Sequence, residues 1–130
     1  ASSLEAVLAQ RLVRVLCTHC KTEDLSPTVQ ALQESQPALR GAAIFRAVGC
    51  RECRQTGYIG RHAIFEMMAL TTDLRQMILK NCSSGEIREI ARQHGMSTLR
   101  EDGWRLVRQG ITTPDEVIRV AKDQALDNPS

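Results

Sequence analysis

The strongest constraint in the sequence is a set of four cysteines arranged as two Cys-x-x-Cys pairs. Cys17 and Cys20 form the first pair, Cys50 and Cys53 form the second, and residues 21–49 lie between them. Two residues between cysteines let both thiolates face one ion from a tight turn, and four thiolates complete the tetrahedral shell of Zn²⁺. The sequence therefore predicts one structural zinc ion per chain, with no open position for a catalytic water.

Other uses of these cysteines stay open from the sequence alone. A single Cys-x-x-Cys pair is also the pattern of a redox dithiol, and tetrahedral sulfur ligation also suits iron or an iron–sulfur cluster. His19 lies inside the first pair and could replace a thiolate, although a solvent-facing histidine is the more common case. Cys82 has no partner at metal-binding spacing and is interpreted as an ordinary half-buried thiol.

Composition limits the class of protein. The chain has 130 residues, and its 17 basic and 15 acidic residues are spread along it, for a net charge of +2. No apolar run approaches the roughly 20 residues that span a bilayer. Five cysteines without an export signal favour a reducing compartment, where paired thiols bind metals more often than they form disulfides. We therefore expect a cytoplasmic protein, cut from a longer one, without a basic stripe for nucleic acid.

The N-terminal half combines predicted helices and strands. Apolar residues at helical spacing after Ser3 predict a helix over residues 1–16. A Ser-Pro start predicts a second helix over residues 26–36. Residues 42–48 are predicted to form a strand that leads into the second cysteine pair, and residues 62–70 a mostly buried strand.

The C-terminal half is predicted to be helical. Capping residues precede each apolar run, and the expected caps are Thr71 or Thr72, Ser83, Ser97 and Thr113. The predicted fold class is α+β and mostly α, with a tetracysteine zinc module, a few short strands and a C-terminal helical bundle. We expect the bundle to cover residues 71–126 and residues 127–130 to fray.

Four segments together carry a resemblance to a known family: residues 10–20, 49–61, 95–103 and 110–117. In this order and spacing they resemble the general secretory pathway ATPase of the type II secretion system (the GspE family). That family is closely related to the type IV pilus assembly ATPases. The resemblance covers nearly the whole chain.

The resemblance implies a motor protein much larger than this chain. Members of the family are hexameric, cytoplasmic ATPases bound peripherally to the inner membrane of Gram-negative bacteria. Hydrolysis of ATP with Mg²⁺ drives assembly of a pseudopilus. The P-loop pattern of such an ATPase does not occur in this sequence, so the chain is expected to be inactive alone.

The resemblance also assigns parts and residues. Residues 1–16 correspond to the last helix of the ATPase core, 17–61 to the zinc module, and 62–70 to a returning strand. The four cysteines match the family's zinc ligands, and the module is thought to support contact with the inner-membrane platform proteins. Arg61 matches a basic position near the nucleotide base. His62 departs from the small or β-branched residue expected there.

Three other functions stay open. A type IV pilus assembly ATPase is a variant of the same class. A free-standing zinc ribbon that binds nucleic acid would use clustered arginines such as Arg51, Arg54 and Arg61, with Tyr58 for base stacking. A thiol oxidoreductase would need one exposed cysteine pair of low pKa. If zinc is structural, losing a ligand should loosen residues 17–61 and leave the helical tail largely intact.

Overall fold

The computed structural model describes residues 5–69, 72–80, 83, 85–86, 89 and 96–126. Its strands are β1 (Glu5–Leu16), β2 (Thr22–Glu23), β3 (Phe45–Arg46) and β4 (Tyr58–Ala69). Its α-helices are α1 (Pro27–Ser35), α2 (Thr72–Leu79), α3 (Leu99–Arg108) and α4 (Pro114–Leu126), and a 3₁₀ turn covers Pro37–Leu39. The fold is mixed α/β, and its strands pair antiparallel as β1 with β4 and β2 with β3.

The first element is a strand, so the helix predicted over residues 1–16 is wrong for its described part. The pairing of β1 with β4 is irregular between Val7 and Ala9, where β1 advances by two residues and β4 by one. The extra residue on β1 interrupts the alternation of its side chains, which explains the misleading apolar spacing. Pairing along the whole of β4 outweighs the local helical pattern.

The strand predicted over residues 62–70 is confirmed as far as Ala69, and it begins earlier, at Tyr58. It pairs with β1 to form a ribbon of two 12-residue strands. The ribbon holds the end of β1 beside the beginning of β4, where the Cys17 N–H donates to the Gly57 C=O at 2.9 Å. The two cysteine pairs therefore approach each other at one end of the ribbon.

The segment between the cysteine pairs matches its predicted helix and only part of its predicted strand. The Ser26 hydroxyl caps α1 by accepting the Val29 N–H at 3.4 Å, with proline in the first turn. The strand predicted over residues 42–48 is reduced to the two residues of β3, which pair with β2. The helix and this short strand pair occupy the long spacing between the cysteine pairs.

Helix α3 lies at the centre of the fold because its residues belong to two buried clusters. The first cluster contains Val29, Leu39, Ile44, Trp104, Val107 and Val117. The second contains Val13, Ile64, Leu99, Leu106 and Ala121. Both clusters cross the boundary that the sequence placed at residue 70. Among the described residues, a helical bundle separate from the N-terminal half is therefore not confirmed.

The starts of the last two helices depend on local hydrogen bonds. The Thr113 hydroxyl accepts the Glu116 N–H at 3.2 Å, as its capping pattern predicts. Helix α3 begins one residue later than expected, because Thr98 and not Ser97 accepts the Glu101 N–H, at 3.1 Å. In both cases a threonine hydroxyl satisfies an N–H that has no partner within the first helical turn.

Parts of the predicted C-terminal half cannot be compared with the structure. Most of the helix expected to follow the Ser83 cap, and the tail at residues 127–130, lie outside the described residues. Of the helices in the described ranges, none combines the length and the apolar character that crossing a bilayer requires.

Candidate metal centre

Two tight turns present the four cysteines. The first turn follows β1, and the Lys21 N–H closes it by donating to the Cys17 C=O at 3.0 Å. The second turn precedes β4, and in it Arg54 and Gln55 adopt left-handed φ angles of 54° and 67°. Because the ribbon holds the end of β1 against the start of β4, the two turns meet.

The four sulfur atoms form one cluster, all within 4.8 Å of one another. Cys50 Sγ lies 3.7 Å from both Cys17 Sγ and Cys53 Sγ, and Cys20 Sγ lies 3.8 Å from Cys53 Sγ. Four sulfurs bound at about 2.3 Å to a tetrahedral ion would lie about 3.8 Å from each other, whereas disulfide-bonded sulfurs lie about 2.05 Å apart. The four cysteines could therefore hold a metal ion.

Backbone N–H groups point at two of the sulfurs. Gly49 N–H donates to Cys20 Sγ at 3.4 Å. Cys53 Sγ accepts two such bonds, from the Cys50 N–H at 3.2 Å and the Gly57 N–H at 3.1 Å. A hydrogen bond from an N–H group stabilises the charged form of a cysteine sulfur. The backbone of these turns therefore suits thiolate ligands.

The thiols differ in how readily they ionise. Desolvation raises the pKa of Cys53, but the N–H groups of Cys50 and Gly57 outweigh it and bring that pKa down to about 6. The Cys53 N–H lowers the pKa of Cys50, but desolvation and the sulfurs of Cys53, Cys17 and Cys20 raise it to about 11. A divalent cation at the centre would favour ionisation of all four thiols, since metal binding displaces their protons.

The α3–α4 corner (residues 110–113) joins the cysteine turns to the C-terminal helices. Lys21, directly after the first cysteine pair, donates from Nζ to the Gly110 C=O at 2.9 Å. The Leu16 N–H, directly before that pair, donates to the Ile111 C=O at 2.7 Å. The first cysteine turn is therefore fixed on both sides to the same corner.

Tyr58 ties the second cysteine turn to the same corner. Its hydroxyl lies 2.9 Å from the Thr113 hydroxyl, and the Arg14 guanidinium lies 4.2 Å from the centre of its ring. A nucleic-acid-binding zinc ribbon would need this ring for base stacking, and here the ring is already in a cation–π contact.

Glu116, in the first turn of α4, is a buried charge. Its carboxylate accepts the Arg14 N–H at 2.9 Å, the Arg14 guanidinium at 2.8 Å and the Arg119 guanidinium at 2.9 Å. Desolvation raises the pKa of Glu116, but the hydrogen bonds from Arg14 and Arg119 outweigh it and lower that pKa to about 2. Arg14 is 102 residues away in sequence, so no local pattern could reveal the pair.

The structure describes three of the four other residues that the sequence singled out, Arg61, His19 and His62. Arg61 is exposed on β4, opposite Arg14, beside a shallow groove of about 300 Å³. Its contact with a nucleotide stays a prediction. His19 and His62 are exposed, and Cys82 lies outside the described residues.

Comparison with known proteins decides the family. The family described as "Type II/IV secretion system protein" matches residues 1–119. The chain belongs to this family. It is 45% identical over 121 residues to the type IV pilus assembly ATPase PilB of Thermus thermophilus, and 42% identical over 125 residues to the type II secretion system protein E of Pseudomonas aeruginosa. It is also 41% identical over 123 residues to the type II secretion system protein HxcR of Pseudomonas aeruginosa.

The matched region is a small part of each relative. The alignments cover 91%, 95% and 95% of this chain but only 14%, 24% and 23% of PilB, protein E and HxcR. Members of the family with both kinds of name are similar to the chain to about the same degree. The family assignment is therefore firm for this region, and the activity of the whole protein belongs to the proposal below.

Proposed function

We propose that this chain is the C-terminal, metal-binding region of the ATPase that powers type II protein secretion by assembling a pseudopilus. The observation that carries the proposal is the family match over residues 1–119 in a chain whose four cysteines form one cluster. The type II secretion system protein E of Pseudomonas aeruginosa aligns with 95% of the chain. The 130 residues contain no P-loop pattern, so ATP hydrolysis belongs to the parent protein.

The metal we assign to the cluster is one structural Zn²⁺, held by Cys17, Cys20, Cys50 and Cys53. Sulfur spacings of 3.7 and 3.8 Å support the assignment, because Zn²⁺ in structural sites is tetrahedral. The ion joins two turns that β2, α1 and β3 separate in sequence, and four thiolates leave no position for a substrate. Its role is to fix the module over residues 17–61.

We place the parent in the cytoplasm, peripheral to the inner membrane of a Gram-negative bacterium, as a homo-hexamer that uses ATP and Mg²⁺. In this arrangement the module over residues 17–61 contacts the inner-membrane platform proteins, and no nucleic acid takes part. The support is membership of the family together with the names of the relatives.

A second candidate is a type IV pilus assembly ATPase. Its support is the 45% identity to PilB of Thermus thermophilus over 91% of the chain. Deleting the parent gene in its native bacterium separates the two: loss of secreted proteins from the medium supports the first, and loss of surface pili with normal secretion supports the second. Normal secretion and normal pili in the deletion strain would contradict both.

We also propose that Arg61 contacts ATP in the parent protein. Arg61 lies opposite Arg14 in the β1–β4 ribbon, and its exposed side chain lines a shallow groove where an anionic ligand could reach it. Arg61→Ala in the full-length protein should raise the KM for ATP, and Arg51→Ala, an exposed arginine inside the second cysteine pair, is the control. An unchanged KM in Arg61→Ala would contradict the contact.

A further inference from the structure

A groove of about 740 Å³, here called the α1–α4 groove, is lined by three parts of the chain. Residues of α1 and the segment before it contribute one part, β3 with Tyr58 contributes the second, and the first two turns of α4 contribute the third. The described lining contains none of the four cysteines. Its volume lies in the range of clefts that bind ligands.

The α1–α4 groove is largely apolar. Val29 and Leu32 of α1 line it and also pack in the first buried cluster. Phe45 lines it and is half-buried. Ile118 of α4 lines it and is 41% exposed, although α4 is otherwise packed against the fold through Val117. An apolar surface left exposed between two helices is typical of an interaction site.

The shape of the groove suits a helix. Along α1, Thr28, Ala31 and Ser35 line it, and their spacing places them on one face of that helix. Residues 28–35 of a helix extend over about 10 Å, close to the width of a second helix. An amphipathic helix that lays its apolar face in such a groove is a recurring mode of peptide recognition.

The charged groups of the lining are mainly acidic. They are the carboxylates of Asp24 and Asp115 and the guanidinium of Arg46. Asp115 and Arg46 are exposed, and Asp24 accepts the Ser26 N–H at 3.0 Å. Within the described ranges, none of the three forms an ion pair. The excess of negative charge favours a partner that carries Lys or Arg beside its apolar face.

We propose that the α1–α4 groove binds a basic amphipathic helix from the cytoplasmic side of an inner-membrane protein. This inference rests on the proposed function, in which the module over residues 17–61 contacts the inner-membrane platform. Cytoplasmic segments next to membrane-spanning helices carry an excess of Lys and Arg, so they supply the charge that Asp24 and Asp115 favour. The apolar face of the bound helix covers Ile118 and Leu32.

A protein helix suits the groove better than the membrane surface does. The cytoplasmic leaflet is negatively charged and attracts basic segments, whereas two carboxylates and one guanidinium line the groove. An amphipathic segment that binds lipid also inserts a projecting apolar face into the bilayer, and the apolar residues of this groove line a concave surface.

The bound helix would contact both the cysteine module and the C-terminal helices. Tyr58 and Thr113 both line the groove, and their hydroxyls lie 2.9 Å apart. This contact joins the second cysteine turn to the α3–α4 corner. A partner in the groove therefore lies directly against the junction of the two halves of the chain.

Photo-crosslinking in the native bacterium tests the proposal. Benzoylphenylalanine is placed at Ala31 of the full-length parent, and at Ala43, an exposed alanine outside the groove, as the control. From Ala31 we expect crosslinks to a cytoplasmic segment of an inner-membrane protein that has apolar residues at helical spacing with Lys or Arg beside them. Crosslinks to the parent itself, crosslinks to lipid, or a yield no higher than from Ala43 would overturn the proposal.

A synthetic peptide with the sequence of the crosslinked segment measures the same surface. Its affinity for the full-length parent, measured by fluorescence anisotropy, should fall at least about 10-fold in Ala31→Arg, because the arginine fills the groove and repels a basic helix. Ala43→Arg is the matched control, and unchanged zinc content shows that both variants are folded. Equal affinities in the two variants would contradict the proposal.

The charge of the groove is tested separately. Asp115→Lys should weaken binding of the same peptide at least about 10-fold, because it replaces an attraction by a repulsion. Glu34→Lys, which changes an exposed glutamate of α1 outside the groove, is the control. An equal effect of both substitutions would overturn the assignment to this groove. If docking fails these tests while deletion of the parent gene still abolishes secretion, the proposed function stands without it.

Discussion

The carboxylate of Glu116, in the first turn of α4, accepts hydrogen bonds from both the backbone N–H and the guanidinium of Arg14, in the last half of β1. Glu116 is only 2% exposed. A buried carboxylate without hydrogen bonds is costly, and these donors, with Arg119, satisfy it. The pair fixes α4 against the ribbon close to the cysteine turns.

Glu116→Gln should therefore destabilise the chain, and the effect should depend on pH. The pKa of Glu116 in the folded protein is lowered to about 2. Its contribution to the free energy of unfolding is therefore complete above the ordinary pKa of a glutamate, about 4.3. It is lost as the pH falls toward 2. We expect a loss of about 1–3 kcal/mol at neutral pH, which shrinks between pH 4.3 and pH 2.

Denaturant unfolding across this pH range measures the difference between the two proteins. Asp115→Asn is the matched control, because Asp115 is an exposed carboxylate in the same helical turn. If the two proteins differ in their free energy of unfolding by the same amount down to pH 2, the ionised Glu116 carboxylate does not stabilise the fold, and the account would be contradicted.

Gly103→Ala tests the close approach of α3 and α4. A Cβ added at Gly103 would lie 2.5 Å from Val117 Cγ1, and valine is restricted in its rotamers. Alanine in place of glycine gains about 1 kcal/mol in a helix, but overpacking costs about 1–3 kcal/mol. We expect a net loss of stability in thermal or denaturant unfolding.

Gly85→Ala is the control for this substitution. Gly85 is exposed in a helical segment, and the nearest atom to an added Cβ is 4.0 Å away. This variant should gain up to about 1 kcal/mol. A stabilised Gly103→Ala protein would show that the two helices separate at no cost.

Gly57→Ala tests how the second cysteine turn is held. Gly57 has φ of 84°, its N–H donates to Cys53 Sγ, and an added Cβ would lie 2.5 Å from Ala47 Cβ. Moving this N–H should weaken metal binding by about 10- to 100-fold, the usual effect of losing a group that supports a ligand. Competition with a chelator measures the affinity.

Gly60→Ala separates the backbone strain from the contact. Gly60 has φ of 78°, but an added Cβ would meet no atom within 4 Å. Both variants carry the cost of a left-handed alanine, about 1–2 kcal/mol, and only Gly57→Ala should lose metal affinity. An equal loss in both variants would mean that Gly57 acts through general stability.

The features that could be predicted from the sequence are those that depend on residues close together in the chain. The two turns around the cysteines, the Ser26 cap and the Thr113 cap each depend on residues within a few positions of each other. β1 was missed because an extra residue between Val7 and Ala9 interrupts the alternation that marks a strand. The Arg14–Glu116 pair was missed because it forms only when the ribbon and α4 meet.

The α3–α4 corner changes what metal loss should do. Sequence spacing alone predicts that Cys50→Ser loosens residues 17–61 and leaves the helical tail intact. In the structure, Lys21 and Leu16 donate to Gly110 and Ile111. We therefore expect faster amide exchange at residues 110–113 as well, with α2 as the reference helix. Unchanged exchange at residues 110–113, with faster exchange at 17–61, would contradict this coupling.

The most direct test of the metal centre is the metal content of the protein, measured by elemental analysis after purification without added metal. The account predicts one zinc per chain, lost when any of Cys17, Cys20, Cys50 and Cys53 is replaced by serine. Retention of zinc in Cys82→Ser, the cysteine outside the two Cys-x-x-Cys pairs, is the control. A folded protein that contains no zinc would contradict the account.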